Sequence, residues 1–188
     1  FVCADANKLP FKEKYFDLIV SGLTLQWCNN LDAVFREVKY LLKTNGVFLF
    51  TSFGPDTLKE LRDCWSRIDD YIHVNTFVDM HDIGDALMRN GLTSPILNAE
   101  EIVLTYQECK QLMRELKYIG ARNINSGRRK TLTGKKRIEK VFEYYETYRI
   151  NNKLPVTYEV IYGHAWQPVN KKNEQSIKLD DIKKQLTK

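Results

Sequence analysis

The apolar residues of this chain fall into short runs separated by charged or glycine-marked breaks, and the spacing within each run predicts its element. Phe16 to Val20, with Asp17 near its start, is bounded by charges before and Ser21-Gly22 after. It is too short for a helix and reads as a buried strand. Ser21-Gly22-Leu23 then lies where the chain leaves the strand's carboxyl end, the edge at which open α/β sheets bind ligands. Val2-Cys3-Ala4 reads as the end of an earlier strand, with Asp5-Ala6-Asn7 just outside it. A carboxylate there can accept hydrogen bonds from a nucleotide's amine or hydroxyl, or can simply close a turn. Asn30 is placed to cap a helix carrying Val34, Val38, Leu41 and Leu42, with Asn45-Gly46 as its left-handed stop. Val47 to Phe53 is nearly all apolar and predicts a strand buried on both faces. Pro55 opens a helix with the stripe Leu58, Leu61, Trp65 and Ile68. Asp79 caps Met80–Arg89, stopped by Gly91, and Ile96 to Tyr106 predicts a further strand. To this point strand and helix alternate, which argues for a parallel sheet with helices on both faces.

After Tyr106 the pattern changes. Gln107 to Ile119 predicts a helix ending at Gly120, a polar loop follows through Gly134, and Lys135 to Tyr148 predicts a second helix. Only then does Val156 to Trp166 supply the last strand. Residues 107–150 are thus a helical insertion between the final two strands, placed either as a lid over the ligand edge or as an extra packing layer. Residues 169–188 are polar and lysine-rich and predict a mobile tail.

Charge sharpens this picture. The segment from Arg122 to Lys140 carries eight basic residues and one acid, a net of +7, whereas the whole chain is +5. The basic character is therefore local to the insertion: a solvated face, or a docking surface for a polyanion. Nucleic acid lacks support, because no aromatics interleave with the basic residues. No apolar run approaches the ~20 residues of a membrane span. The four cysteines lie far apart and read as buried free thiols of a reducing compartment. The three histidines have no metal spacing, and neither a G-x-S-x-G elbow nor a P-loop occurs.

The pattern A-D-A-x-x-L-P-F, five residues, F-D-L-I-V-S resembles the middle of the class I S-adenosylmethionine-dependent methyltransferases. L-Q-W at Leu25–Trp27, I-G-A-R-N-I-N-S-G-R-R and P-V-T-Y-E-V-I-Y-G-H-A-W are similar to the BioC-type malonyl-acyl-carrier-protein O-methyltransferases of biotin synthesis. The resemblance runs from Phe1 to about Pro168. It implies an α/β, Rossmann-like sandwich with a mostly parallel sheet and a helical lid before the last strand. Residues 1–168 would be the C-terminal two-thirds of one domain. The family's cofactor loop is a G-x-G run, and none of the nine glycines forms one. The expectation is that the first strands are absent and that this stretch alone is inactive.

The same resemblance implies S-adenosylmethionine as cofactor, held by Asp5, Ala6, Ser21, Gly22 and Leu23, and a cytoplasmic enzyme esterifying malonyl-acyl carrier protein. Gln26, Trp27, Tyr158 and His164 become candidates for the substrate wall, although the last two also fit structural roles on their strand. Since a carboxylate needs only to be aligned with the methyl group, no general base is expected. A bidentate guanidinium suits the task, with Arg128 first, Arg129 second and Arg122 third. Lys130, Lys135, Lys136, Arg137 and Lys140 would dock the acidic carrier protein. Two other readings stay open: a same-fold relative hydroxylating a protein arginine, as in complex I assembly, and a non-catalytic binding module.

Overall fold

The computed structural model describes residues 1–121, 123–125, 127–129 and 131–169. Four strands form one sheet: β1 (Phe16–Ser21), β2 (Leu42–Phe53), β3 (Thr93–Tyr106) and β4 (Leu154–Trp166), in the spatial order β1-β2-β4-β3. β1 and β2 pair in parallel, and β4 runs antiparallel to both β2 and β3. Three strands thus share one direction, and the last strand in sequence inserts between the second and third. Hydrophobic periodicity carries no sign of strand direction, so this reversal was invisible in the pattern. Val2–Ala4 forms no strand, and Phe1 and Val2 are exposed.

Helices α1 (Leu31–Leu41) and α3 (Met80–Arg89) cover one face. Both start as their caps predict: the Asn30 side chain accepts from the Ala33 N–H, and Asp79 from that of His81. Gly91 follows α3 with φ +78°. α1, however, ends at Leu41 and not at Asn45-Gly46. Its last carbonyls are taken by the chain entering β1, Lys14 N–H to Tyr40 O at 2.9 Å and Tyr15 N–H to Leu41 O at 2.8 Å. These bonds do the work of a glycine cap. Asn45 is left-handed as expected (φ 62°), but inside an irregularity of β2 that hydrogen-bonds to Gln167.

Phe35, Val38, Phe48, Phe50, Leu87 and Ile161 make the core beneath α1 and α3. The expectation of burial on both faces fails. Val20 and Leu49, on the opposite face, are 67% and 40% exposed, and α4 borders the groove on that side.

A second core joins α2 (Lys59–Ser66), α4 (Cys109–Tyr118) and α5 (Lys135–Glu146) through Leu61, Trp65, Leu112, Val141 and Tyr145. It is built on an overhang. Val160 pairs with Phe53, the last residue of β2, while the β3–β4 ladder continues to Tyr106–Leu154. That leaves six residues, about 20 Å of ribbon, beyond the carboxyl ends of β1 and β2. α2 starts at Lys59 and not at Pro55, because β4 claims the preceding turn. The Thr157 carbonyl accepts from Leu58 N–H at 2.7 Å, holding Leu58 at φ 57°.

Gly163 on β4 faces Phe50. An added Cβ would lie 2.2 Å from the ring's Cζ, and that ring already stacks on Phe48 at 5.2 Å. Gly163→Ala should therefore cost about 1–3 kcal/mol by overpacking. Urea denaturation should show a lower midpoint at unchanged slope.

Candidate functional site

The carboxyl ends of β1 and β2 open onto the space between the two cores. The first residues past β1 are held in place tightly. Leu23 takes φ 47°, which is costly for a branched residue. Its N–H donates to both the carbonyl and the hydroxyl of Thr51 at 3.1 Å. Gly22 beside it is open: an added Cβ would meet no atom within 4 Å. A short 3-10 turn, Leu25–Trp27, follows, with Leu25 buried and Trp27 exposed. Gln26 donates to the Leu23 carbonyl at 2.6 Å, so its amide braces the bend.

Asp5 reaches the same edge. Its Oδ1 accepts from the backbone and side chain of Asn7 at 2.9 and 2.7 Å, bonds that hold the carboxyl below its usual range. The turn reading of Asp5 is thus real, and the carboxylate stays exposed at the surface. Burial, and then the Asp5 charge, push the Cys28 thiol up. Ala6 packs against the first core. Asp5, Ala6, Ser21, Gly22, Leu23, Gln26 and Trp27 therefore gather at one edge.

Past them lies a cavity of about 210 Å³, walled by Gln26, Ser52, Asn75, Phe77, Ile83 and Asn125, among others. Among the described residues, none that lines it is charged. Two loops that sequence reasoning did not connect form its outer wall. Asn75 Oδ1 accepts from Ile124 N–H at 3.1 Å and from the Asn125 amide at 3.0 Å. Ile72 N–H donates to Gly127 O at 3.3 Å, and the Asn123 amide donates back to the Ile72 carbonyl. Segment 72–78 and the arginine-bearing loop are thus laced into one unit. The only sequence signal was the asparagine-rich N-I-N stretch itself.

The arginines divide. Arg128 is exposed, and among the described residues its guanidinium bonds only to the carbonyl of the wall residue Asn125, at 3.3 Å. Arg129 is occupied. It donates to Thr131 Oγ1 at 2.7 Å, lies over the Tyr71 ring, and faces Asp69 at 3.9 Å. Arg137 also turns to Asp69, at 3.3 Å, whereas Lys135, Lys136 and Lys140 are exposed. Arg122 and Lys130 lie outside the described residues, as does the tail from 170 onward.

Two expected wall residues are elsewhere. Ser52 pairs with Ile161, which points its neighbours Tyr158, Val160, Tyr162 and His164 to the opposite face of the sheet. His164 pairs with Leu49, well back from the carboxyl end, and Tyr158 lines an apolar groove with Phe53 and Leu104. A substrate role at the cavity does not fit either. The thiols are free, but Cys3 is exposed and Cys28 half-buried, so only two are buried as expected. Burial pushes Cys64 up to about 11 and Cys109 to about 12, so neither is a thiolate nucleophile at neutral pH. Among the described residues no cluster could hold a metal, and no helix is long and apolar enough to cross a membrane.

Residues 1–50 match the family described as a methyltransferase domain. The malonyl-acyl-carrier protein O-methyltransferase of Nitrosospira multiformis is 49% identical over 168 residues, covering 89% of this chain and 55% of that protein. The enzyme of the same name from Laribacter hongkongensis is 47% identical over 180 residues, 96% of this chain and 60% of the other. The chain thus spans 55–60% of the length of these curated relatives. Among solved structures, a Bacillus halodurans protein named as a methyltransferase superposes with a TM-score of 0.60 at 15% identity, over 90% of this chain and 78% of that one. The fold is that of the class I methyltransferases, and the sequence is related to the malonyl-acyl-carrier protein O-methyltransferases.

Asn75 supplies half of the bonds that lace the two loops. Asn75→Ala would leave the Ile124 N–H without its acceptor and the Asn125 amide with only Asn123 Oδ1, at about 1–3 kcal/mol of local stability. Hydrogen exchange should quicken at Ile124 and Asn125, with the β2–β4 ladder unaffected.

Proposed function

We propose that this chain is part of an S-adenosylmethionine-dependent methyltransferase that esterifies the free carboxylate of malonyl-acyl carrier protein, an early step of biotin synthesis. The observation that carries this reading is identity of 47–49% to proteins of that name across 89–96% of the chain. The geometry of the strand ends supports it.

The residues present fit the cofactor in part. Gly22 leaves room for close approach at the strand end, and Asp5 offers an exposed carboxylate at the same edge. Asp5 and Ala6 would hold the nucleoside, with Ser21, Gly22 and Leu23 beside the methionine end. When bound, the cofactor supplies a methyl group made electrophilic by its sulfonium.

The chain's own residues then have little chemistry to perform. A carboxyl ionises near pH 4, so malonate's free end arrives as the nucleophile and no base has to be found. Alignment is the remaining task, and it is worth several kcal/mol. An uncharged cavity suits the neutral acyl thioester and would penalise a carboxylate placed inside it. The charge belongs at the rim, where the Arg128 guanidinium donates to the carbonyl of the wall residue Asn125 and meets no carboxylate among the described residues. Arg129, already shared with Asp69, is the weaker candidate. The helices α4 and α5 with the loop between them act as a lid on the ligand edge, and Lys135, Lys136 and Lys140 present the face that meets the acidic carrier.

Two measurements test this. In the protein that contains this chain, Arg128→Lys should lower kcat/KM for malonyl-acyl carrier protein roughly ten- to hundredfold, the value of a lost bidentate contact, while cofactor affinity holds. The wild-type rate should stay flat from about pH 6 to 8, because no general base titrates. A rate rising through a pKa near 7 while methyl transfer limits turnover would contradict the mechanism. Separately, reversing Lys135, Lys136 and Lys140 to glutamate should raise KM for the carrier-borne substrate about tenfold at low salt. A malonyl group on a small thiol should be nearly indifferent to the change; equal losses on both substrates would assign the lysines to the fold.

A further inference from the structure

Asp69 lies in the segment leaving α2, and four groups converge on it. Its Oδ1 accepts from Tyr71 N–H at 3.2 Å and lies 2.7 Å from His73 Nε2. Its Oδ2 faces Arg137 at 3.3 Å and Arg129 at 3.9 Å. The carboxylate is 12% exposed, and His73 is in turn stacked on Trp65 with ring centroids 3.7 Å apart. Burial alone would push Asp69 up, but the bonds from His73, Tyr71 and Arg137 outweigh it and hold the carboxyl below its usual value. It is an anion at neutral pH.

This arrangement joins three pieces that are far apart in sequence: the exit of α2, the loop through Arg128 and Arg129, and the first turn of α5. Two cations share one carboxylate, and the Arg129 Nη1 has no hydrogen-bond acceptor, being too far from Oδ2 for a bond. The attraction is therefore electrostatic and directed at a residue adjacent to Arg128. Arg128 itself has no carboxylate partner among the described residues. Its backbone N–H bonds to Asn125 O at 3.2 Å, so the position of its side chain is inherited from the loop.

We infer that Asp69 is a positioning residue: by drawing Arg129 and Arg137 inward it fixes the loop from which Arg128 reaches the substrate carboxylate. The inference rests on the carboxyl-methyltransferase reading above, and it adds a residue that never touches substrate.

The test is a double-mutant cycle in the protein that contains this chain. Asp69→Asn keeps the size and one acceptor but removes the charge. It should lower kcat/KM for the malonyl thioester roughly tenfold, mostly through KM, with cofactor affinity unchanged. In an Arg128→Lys background the same change should cost less than about twofold, because the residue being positioned is already compromised. Asp69→Glu should recover part of the loss, and hydrogen exchange across 127–129 should quicken in Asp69→Asn alone. If the two losses multiply, Asp69 only supports the fold and the inference is wrong, while Arg128 keeps its role. If Arg128→Lys has no effect by itself, the carboxylate reading fails and the inference falls with it. Should Asp69→Asn unfold the protein, exchange at 127–129 in Arg129→Gln decides: protection equal to wild type there overturns the inference.

Discussion

The buried carboxylate of Glu60 fastens α2 to the overhanging end of β4. It is 6% exposed, and its oxygens accept from the hydroxyl and the backbone N–H of Thr157, ninety-seven residues away. A carboxylate so placed is tolerable only when hydrogen-bonded, so the pairing is obligatory once α2 packs on the ribbon. Thr57 and Glu159 repeat the arrangement one turn earlier, with the Thr57 hydroxyl donating to Glu159 O and accepting from its N–H, both at 3.1 Å. Together they fasten the β2–α2 turn to β4. Because β4 also lies between β2 and β3, one strand carries both cores.

What could be read from the residues was whatever local chemistry determines. Asn30 and Asp79 cap helices through their own side chains, and Gly91 and Gly120 leave α3 and α4 with positive φ. These devices act within four residues, so a single stretch reveals them. The errors in helix bounds came from bonds that span the chain. α1 stops early because Lys14 and Tyr15 supply donors to its end, and α2 starts late because Thr157 takes the Leu58 N–H. Val2–Ala4 had the composition of a strand end, but strand character also requires a pairing partner, and no described strand lies against it.

The candidate site divides along the same line. Ser21, Gly22, Leu23 and Gln26 could be placed at the sheet edge from the sequence because the carboxyl end of a parallel strand is a place that topology dictates. Asn75 and Asp69 were missed, since nothing near either residue announces the loop some fifty to sixty residues later that it holds. Tyr158 and His164 were misplaced by parity. Alternate residues of a strand face opposite sides, and which set faced the helices could not be known before β4 was paired with β2. Arg129 and Arg137 looked equivalent to their basic neighbours until Asp69 claimed both.

That claim bears on why a segment of net +7 can serve a single carboxylate. Two of its cations are turned inward and partly neutralised, three lysines face solvent, and Arg128 is exposed, bonded to the carbonyl of the wall residue Asn125. On the proposed reaction, the substrate arrives with the charge that this guanidinium recognises and leaves without it. A methyl ester cannot form the charge-assisted pair, so the contact that orients the reactant vanishes in the product. Release then follows from the chemistry itself. The uncharged lining of the cavity is consistent with this, because it grips neither form strongly, leaving discrimination between carboxylate and ester to the arginine at its rim.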